Sequence, residues 1–106
     1  NVSSVTTMHR MFNSATSFDQ DIGGWDVSKV VDMYRMFNYA TSFNQDLSQW
    51  NTSQCLDMAG MFWNATVFAQ DLSGWCVTNI PERPNNFSNG SQIIAEPVWG
   101  TCPGGP

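Results

Sequence analysis

The stretch that decides the fold runs from Phe43 to Phe62 and reads FNQDLSQWNTSQCLDMAGMF. Twenty-five residues earlier, the stretch from Phe18 to Phe37 reads FDQDIGGWDVSKVVDMYRMF, with phenylalanine, tryptophan and methionine at the same places. A repeat of this length cannot bury its own apolar side chains and must stack on its copies. The recurring residues are Met8, Met33 and Met58; Met11, Met36 and Met61; Phe12, Phe37 and Phe62; Phe18, Phe43 and Phe68; Gln20, Gln45 and Gln70; Asp21, Asp46 and Asp71; and Trp25, Trp50 and Trp75.

Two hydrophobic periods occur within each repeat. Apolar residues at Val30, Met33, Met36, Phe37 and Ala40 have helical spacing, whereas the segment that follows Ile22 alternates as a strand does. These periods predict an α/β fold, a short solenoid of three to four leucine-rich-like coils. It would have a parallel sheet on one face, helical turns on the other and a C-terminal cap. The predicted strands lie near 25–29, 50–54 and 75–79.

The repeats divide the chain into two parts. A partial coil over 1–4 precedes coils over 5–29, 30–54 and 55–79, which together form a predicted solenoid over 1–80. All five prolines lie from Pro81 onward. We therefore interpret 81–106 as a Pro-rich C-terminal cap, ending in a linker.

The line from Phe43 to Phe62 resembles the BspA-like surface repeats, which are leucine-rich-like repeats of about 25 residues in bacterial and algal surface proteins. The tail from Asn86 to Pro103 is similar to the closing segment of that family. The resemblance implies an extracellular or cell-surface location and a non-enzymatic role in adhesion or surface structure. It supplies no catalytic residues.

Composition excludes several classes of function. Four Lys and Arg against nine Asp and Glu give a net charge of -5, which argues against nucleic acid and against a polybasic membrane contact. No apolar run approaches the roughly 20 residues of a membrane span. The opening residues, NVSSVTTMHR, are not a signal peptide.

Asparagines in N-x-S/T triplets are the first candidate sites. A glycan can be attached to each of them only in a chain that passes through a glycosylating secretory pathway. The competing interpretation is that these side chains cap turns. The five triplets begin at Asn1, Asn51, Asn64, Asn86 and Asn89.

Three cysteines leave one without a partner. Cys76 stands at the start of the last coil and Cys102 in the cap, so a bond between them would hold the cap on the last repeat. Cys55 shares a column with Val5, Val30 and Ile80 and is expected to be a buried free thiol. A disulfide and N-glycans both fit an oxidising compartment.

No catalytic or metal site is predicted, and no cofactor is expected. The chain has no C-x-x-C, and its one histidine, His9, has no fixed equivalent in the other repeats. The aspartate column (Asp21, Asp46 and Asp71) has two interpretations. Its carboxylates either bridge calcium between coils or accept turn N–H groups, and one Asp per coil is few for calcium.

Surface contacts are predicted at two places. Trp63 replaces Asn13 and Asn38 in its column and is a candidate anchor for a partner or a sugar, or it packs on a neighbouring loop. The second place is a hydroxyl column on the predicted sheet, comprising Ser3, Ser28, Ser53 and Thr78. It underlies an alternative function, a glycan- or ice-binding module.

The first coil has no cap in this chain. We therefore expect either that the chain is an excerpt of a longer solenoid or that its edge is covered by another copy or by a neighbouring module. The predicted function is therefore an extracellular structural or adhesive repeat module. It would be N-glycosylated and able to assemble head to tail into a surface filament. Its expected partners are copies of itself and covalent glycans, with no nucleic acid and no membrane insertion.

Overall fold

Main-chain N–H groups in each repeat alternate between two kinds of partner. In this computed structural model, which describes residues 1–103, every second N–H from Met33 to Tyr39 donates to a carbonyl of the third repeat at 2.8–2.9 Å. The N–H groups of Met36, Asn38 and Ala40 instead close turns onto carbonyls three residues earlier. The chain therefore stacks its repeats through main-chain bonds without using the hydrogen bonds of a helix or a long strand.

The predicted α/β solenoid fold class is wrong, because residues 1–103 contain no helix and consist mostly of turns and loops. Arg35 and Tyr39, inside the predicted helical stripe, have positive φ angles of 52° and 60°. A left-handed residue interrupts an α-helix. Two positive φ angles, four residues apart, recur in each of the other layers. They occur at Arg10 and Ser14, at Gly60 and Asn64, and at Asn86 and Gly90.

The predicted sheet is also wrong. Residues 28–29, 53–54 and 78–79 form turns, and extended pairing is limited to isolated parallel bridges. The Oδ1 atoms of Asp26 and Asn51 accept the N–H groups of Ser28 and Ser53, and such side-chain bonds favour a turn over a strand. The bridges join Thr7 with Asp32, Asp32 with Asp57, and Asp71 with Ala95.

Equivalent apolar side chains stack on one another in the core. The rings of Phe37 and Phe62 lie 5.4 Å apart and nearly parallel, and Trp50 and Trp75 stack at 6.3 Å. Met33 and Phe37 are completely buried, and Trp50 is only 3% exposed. Burial of these large side chains supplies the main driving force for folding.

A buried amide links the three repeats. Asn38, only 3% exposed, accepts a bond from the amide of Asn13 and donates one of 2.7 Å to the carbonyl of Trp63. Every buried side-chain nitrogen and oxygen in residues 1–103 has a hydrogen-bond partner. Polar groups in this core are therefore satisfied, as stability requires.

The segment after Pro81 adds a further layer to the stack. The N–H groups of Gly60, Phe62 and Asn64 donate to carbonyls at 85, 87 and 89, as the corresponding groups do between earlier repeats. Phe87 is fully buried and packs edge-on against Phe62 at 5.5 Å. No helix of residues 1–103 is long and apolar enough to cross a membrane.

Candidate functional site

Asn51 and Asn1 are exposed and occupy equivalent positions in their repeats. The Oδ1 of each accepts the N–H of the serine two residues later, Ser53 and Ser3, at 3.1 and 3.0 Å. Within residues 1–103 the Nδ2 atom of neither side chain is hydrogen bonded. Because N-glycans attach through Nδ2, both side chains have their reactive nitrogen accessible. Turn capping and glycan attachment are therefore compatible here.

The other three triplets lie in more crowded surroundings. Asn64 is half-buried with a positive φ, and its Oδ1 packs against Gly90. Asn86 is half-buried and accepts a bond from the Nδ2 of Asn89. The Oδ1 of Asn89 also accepts the guanidinium of Arg83 at 2.9 Å. Glycosylation at all five asparagines stays a prediction, and the surroundings favour Asn1 and Asn51.

A disulfide joins Cys76 and Cys102, as predicted. Beside it, the N–H of Val77 donates to the carbonyl of Thr101 at 2.8 Å. The bond therefore reinforces the main-chain contact between the last repeat and the C-terminal layer. The rest of the predicted linker, residues 104–106, lies outside the described residues.

Cys55 is buried and has no disulfide partner, which agrees with the prediction. Burial raises the pKa of its thiol to about 11, outweighing main-chain hydrogen bonds that lower it. A thiol with such a pKa is protonated at neutral pH, so Cys55 is a poor nucleophile and a packing residue.

The aspartate column caps turns. The Oδ1 atoms of Asp21, Asp46 and Asp71 each accept the N–H two residues later, at 2.8–3.1 Å. Hydrogen bonds from Ser48 and Ser73 hold the pKa values of Asp46 and Asp71 below the usual range. Residues 1–103 contain no group of His, Cys, Asp and Glu that could hold a metal ion. The turn-capping interpretation accounts for this column without calcium.

The hydroxyl column lies on turns, contrary to the flat sheet expected for it. Ser28 is half-buried, and its Oγ donates to Asp26 at 2.6 Å. The carbonyl of Ser53 accepts the amide of Asn79, and Thr78 is exposed. This part of the described chain therefore lacks the extended surface that the glycan- or ice-binding alternative assumed, and that alternative stays a prediction.

Trp63 is half-buried and packs beside a cation. The guanidinium carbon of Arg35 lies 5.2 Å from the centre of the Trp63 ring and 5.1 Å from that of Tyr34. Arg10 lies over Tyr34 at 5.6 Å. Such distances are typical of cation–π contacts. The candidate contact residue is thus part of an aromatic and cationic cluster, which the sequence analysis did not predict.

His9 belongs to the edge of the same cluster. Its ring stacks on Tyr34 at 4.9 Å, and its Nδ1 lies 3.1 Å from a carboxylate oxygen of Asp32. Asp32 also accepts the N–H of Tyr34 at 2.9 Å. His9 belongs to the first repeat, so it holds the Tyr34 ring on the side that faces away from the third repeat.

Sequence differences between repeats explain the cluster. Where the second repeat has Tyr34 and Arg35, the third has Ala59 and Gly60, and Trp63 replaces asparagine in that same repeat. Because the small Ala59 and Gly60 lie next to the large Tyr34 and Arg35, a cleft of about 240 Å³ remains between the two repeats. This break in the columns was the signal that could have identified the site. The cleft is lined by Tyr34, Arg35, Ala59, Gly60, Trp63, Asn85 and Asn86.

A second network fixes the C-terminal layer. Arg83 bonds Glu96 through Nε at 3.0 Å and through Nη2 at 3.1 Å. Ser88 and the indole of Trp99 also donate to this carboxylate. Burial raises the pKa of Glu96, but the bonds from Arg83, Ser88 and Trp99 outweigh it and lower the pKa below the ordinary value.

With this geometry established, comparison with known proteins places the chain in a family. Residues 1–98 match the family described as "Mycoplasma protein of unknown function, DUF285". The match covers most of the chain, so the protein belongs to that family. No curated protein matches the chain. No solved structure matches it either.

Proposed function

We propose that this chain is an extracellular or cell-surface repeat module with a structural or adhesive role. The observation that carries the proposal is the disulfide between Cys76 and Cys102. Structural disulfides form and persist in oxidising surroundings outside the cytosol, so this bond supports secretion. A non-enzymatic role stays a prediction and is part of the proposal.

Covalent N-glycans are the second part of the proposal. Five N-x-S/T triplets occur in a chain of 106 residues, and the best-placed asparagines are Asn1 and Asn51. Because Asn51 is exposed, a glycan on it would project into solvent and leave the core unchanged. They would add to the polar surface of the module.

Membership of the BspA-like surface proteins is the third part. The chain belongs to the DUF285 family, and its line from Phe43 to Phe62 carries the resemblance described above. A stack of repeats joined by main-chain hydrogen bonds supports a structural role, because such a stack can be extended by adding repeats.

Association of copies is the proposed partner interaction. In the first repeat Phe12, Phe18 and Trp25 are only half-buried, whereas the phenylalanines and tryptophans at the equivalent positions of the later repeats are buried. The face that these side chains form can accept a further layer of the same kind. The proposed occupant is a second copy of the chain.

Intact-mass analysis and peptide mapping of the protein from its native source test the first two parts. We expect a mass above the 11.8 kDa of the bare chain, glycopeptides at Asn1 or Asn51, and a Cys76–Cys102 peptide. Protease treatment of whole cells should remove the protein. Reduced cysteines and an unmodified mass in a cytosolic fraction would contradict the proposal.

Sedimentation across a range of concentrations tests association. We expect larger species at high concentration, and the change Phe18→Ser should reduce them. Leu56→Ser is the matched control, because Leu56 is 62% exposed and lies away from the first-repeat face. A monomer at every concentration would exclude a second copy as the partner.

A further inference from the structure

The cleft beside Trp63 combines features of a ligand site. It measures about 240 Å³, below the range of drug-sized pockets and suited to a ligand the size of one sugar ring. Its walls include two aromatic side chains, Tyr34 and Trp63, and the amide side chains of Asn85 and Asn86. Aromatic rings pack on the C–H face of a pyranose, and amides exchange hydrogen bonds with its hydroxyl groups.

Arg35 gives the cleft its charge. Its guanidinium is held between the rings of Tyr34 and Trp63, at 5.1 and 5.2 Å. Among residues 1–103, no carboxylate and no hydrogen-bond acceptor is paired with this guanidinium. A guanidinium fixed by two rings retains a fork of N–H donors that matches a carboxylate.

The position of Arg35 contrasts with the charge of the whole chain. Only four Lys and Arg residues balance nine Asp and Glu, yet Arg10 and Arg35 both lie at Tyr34. The other arginine, Arg83, is paired with Glu96. Arg35 is therefore a local cation that is free to receive a ligand carboxylate, in a chain whose net charge is negative.

We propose that this cleft binds an acidic monosaccharide unit, a hexuronate or a sialic acid, at the end of a glycan chain. Arg35 receives the carboxylate, Trp63 packs on the sugar ring, and Asn85 and Asn86 bond its hydroxyl groups. The interaction does not depend on secretion or on self-association. It does require Asn86 to be unmodified, because a glycan there would fill the cleft.

The repeats provide variants that the backbone can accommodate. Arg35→Gly introduces the residue that the third repeat has at Gly60, where φ is also positive. Trp63→Asn introduces the residue found at Asn13 and Asn38. The matched control is Arg10→Gly, an equivalent position that does not line the cleft.

The test is a titration of the full, disulfide-bonded chain, produced without glycosylation, with sodium glucuronate and with N-acetylneuraminate. Glucose and acetate serve as comparators, and indole N–H signals are followed by NMR. We expect one of the acidic sugars to shift the Trp63 signal, with weaker binding of glucose and acetate. Arg35→Gly should weaken binding by about tenfold or more, the usual effect of losing a charged hydrogen bond. Trp63→Asn, followed through the main-chain amide signals of the other cleft residues, should weaken it similarly, and Arg10→Gly should leave it within about twofold.

Three results would overturn the proposal. One is no binding of either acidic sugar at millimolar concentration by a folded chain. The second is acetate binding as tightly as the acidic sugars, which would make the cleft a simple anion site. The third is a glycan on Asn86 of the native protein. Circular dichroism of each variant separates lost binding from lost folding.

Discussion

The indole N–H of Trp50 donates a hydrogen bond of 3.0 Å to the main-chain oxygen of Ile22 in the preceding repeat. Trp75 makes the same bond of 2.9 Å to Leu47. Each of these two tryptophans therefore fills the core and also gives a carbonyl of the neighbouring repeat a second hydrogen bond, beside the turn N–H that it already accepts. The recurring tryptophan is thus a specific link between layers as well as an apolar residue.

Trp50→Phe should lower the free energy of unfolding by about 1–3 kcal/mol. The buried side chain becomes smaller, and the carbonyl of Ile22 loses one of its two donors and keeps only the N–H of Trp25. Trp25→Phe is the control, since Trp25 is only half-buried, and should cost roughly 0.5–1 kcal/mol. Urea denaturation measures both. Equal losses would show that the bond to Ile22 adds nothing.

Gly23→Ala should destabilise the chain by about 1–3 kcal/mol, because a Cβ at this position would lie 2.5 Å from the carbonyl oxygen of Asp46. The adjacent Gly24→Ala has no atom within 4 Å and should be neutral or slightly stabilising. Thermal unfolding of the two variants gives the comparison. A neutral Gly23→Ala would contradict close contact between these repeats.

Replacing both Cys76 and Cys102 by serine should cost roughly 3–4 kcal/mol, from the loop-closure entropy of a bond spanning 26 residues. Cys55→Val is the control, because valine occupies that column at Val30, and it should cost less than about 1.5 kcal/mol. Denaturant unfolding under non-reducing conditions measures each. If Cys55→Val lost more unfolding free energy than the double serine variant, the buried thiol would contribute more to stability than the disulfide does.

The thiol of Cys55 should react slowly with a disulfide reagent at pH 8 in the native protein and rapidly in denaturant. Its pKa of about 11 leaves little thiolate, and burial blocks access. Absorbance of the released reagent follows the reaction. Rapid labelling of the folded chain would show that the surrounding layers open readily.

The Arg83–Glu96 network should make stability depend on pH. The pKa of Glu96 is lowered from 4.5 in the folded chain, so its stabilisation is present above pH 4.5 and is lost as pH falls through the lowered value. Glu96→Gln should remove about 1 kcal/mol of that dependence, the scale of a partly exposed ion pair.

Thermal unfolding of the unchanged chain and of Glu96→Gln between pH 7 and pH 2.5 measures this pH dependence of stability. Glu82→Gln is the matched control, because Glu82 is exposed and bonds no side chain in residues 1–103. Unchanged pH dependence in Glu96→Gln would assign the acid sensitivity to other carboxylates. Asp19 is one of these, its pKa lowered by hydrogen bonds from Asn44 and Gln45.

Spacing alone was enough to predict which residues share columns in the core. Phe37 and Phe62 stack as their separation of 25 residues suggested. Local conformation was not predictable from the same spacing, because apolar residues at Met33, Met36 and Phe37 suit a helix and a row of tight turns equally well. The left-handed angle at Arg35 decides between them, and no hydrophobic pattern reports it.

The candidate sites also divide into those that were predicted from the sequence and those that were not. The Cys76–Cys102 bond could be predicted because position in the repeats leaves few pairings. The cleft was not predicted, although the break in the columns was visible in the sequence, because it arises from two layers together: Tyr34 and Arg35 in one, and the small Ala59 and Gly60 in the next. Phe87 was missed for another reason. It lies 25 residues after Phe62, within a segment whose prolines suggested a separate cap.

The alternation of N–H groups between Met33 and Tyr39 constrains how such a chain can change in evolution. Inserting one residue there would exchange the donors that face the neighbouring layer with those that close turns. Point substitutions are compatible with this arrangement, but small insertions and deletions are not. Gene duplications that add or remove a whole repeat keep every donor in place, so proteins of this kind should vary in length by multiples of one repeat.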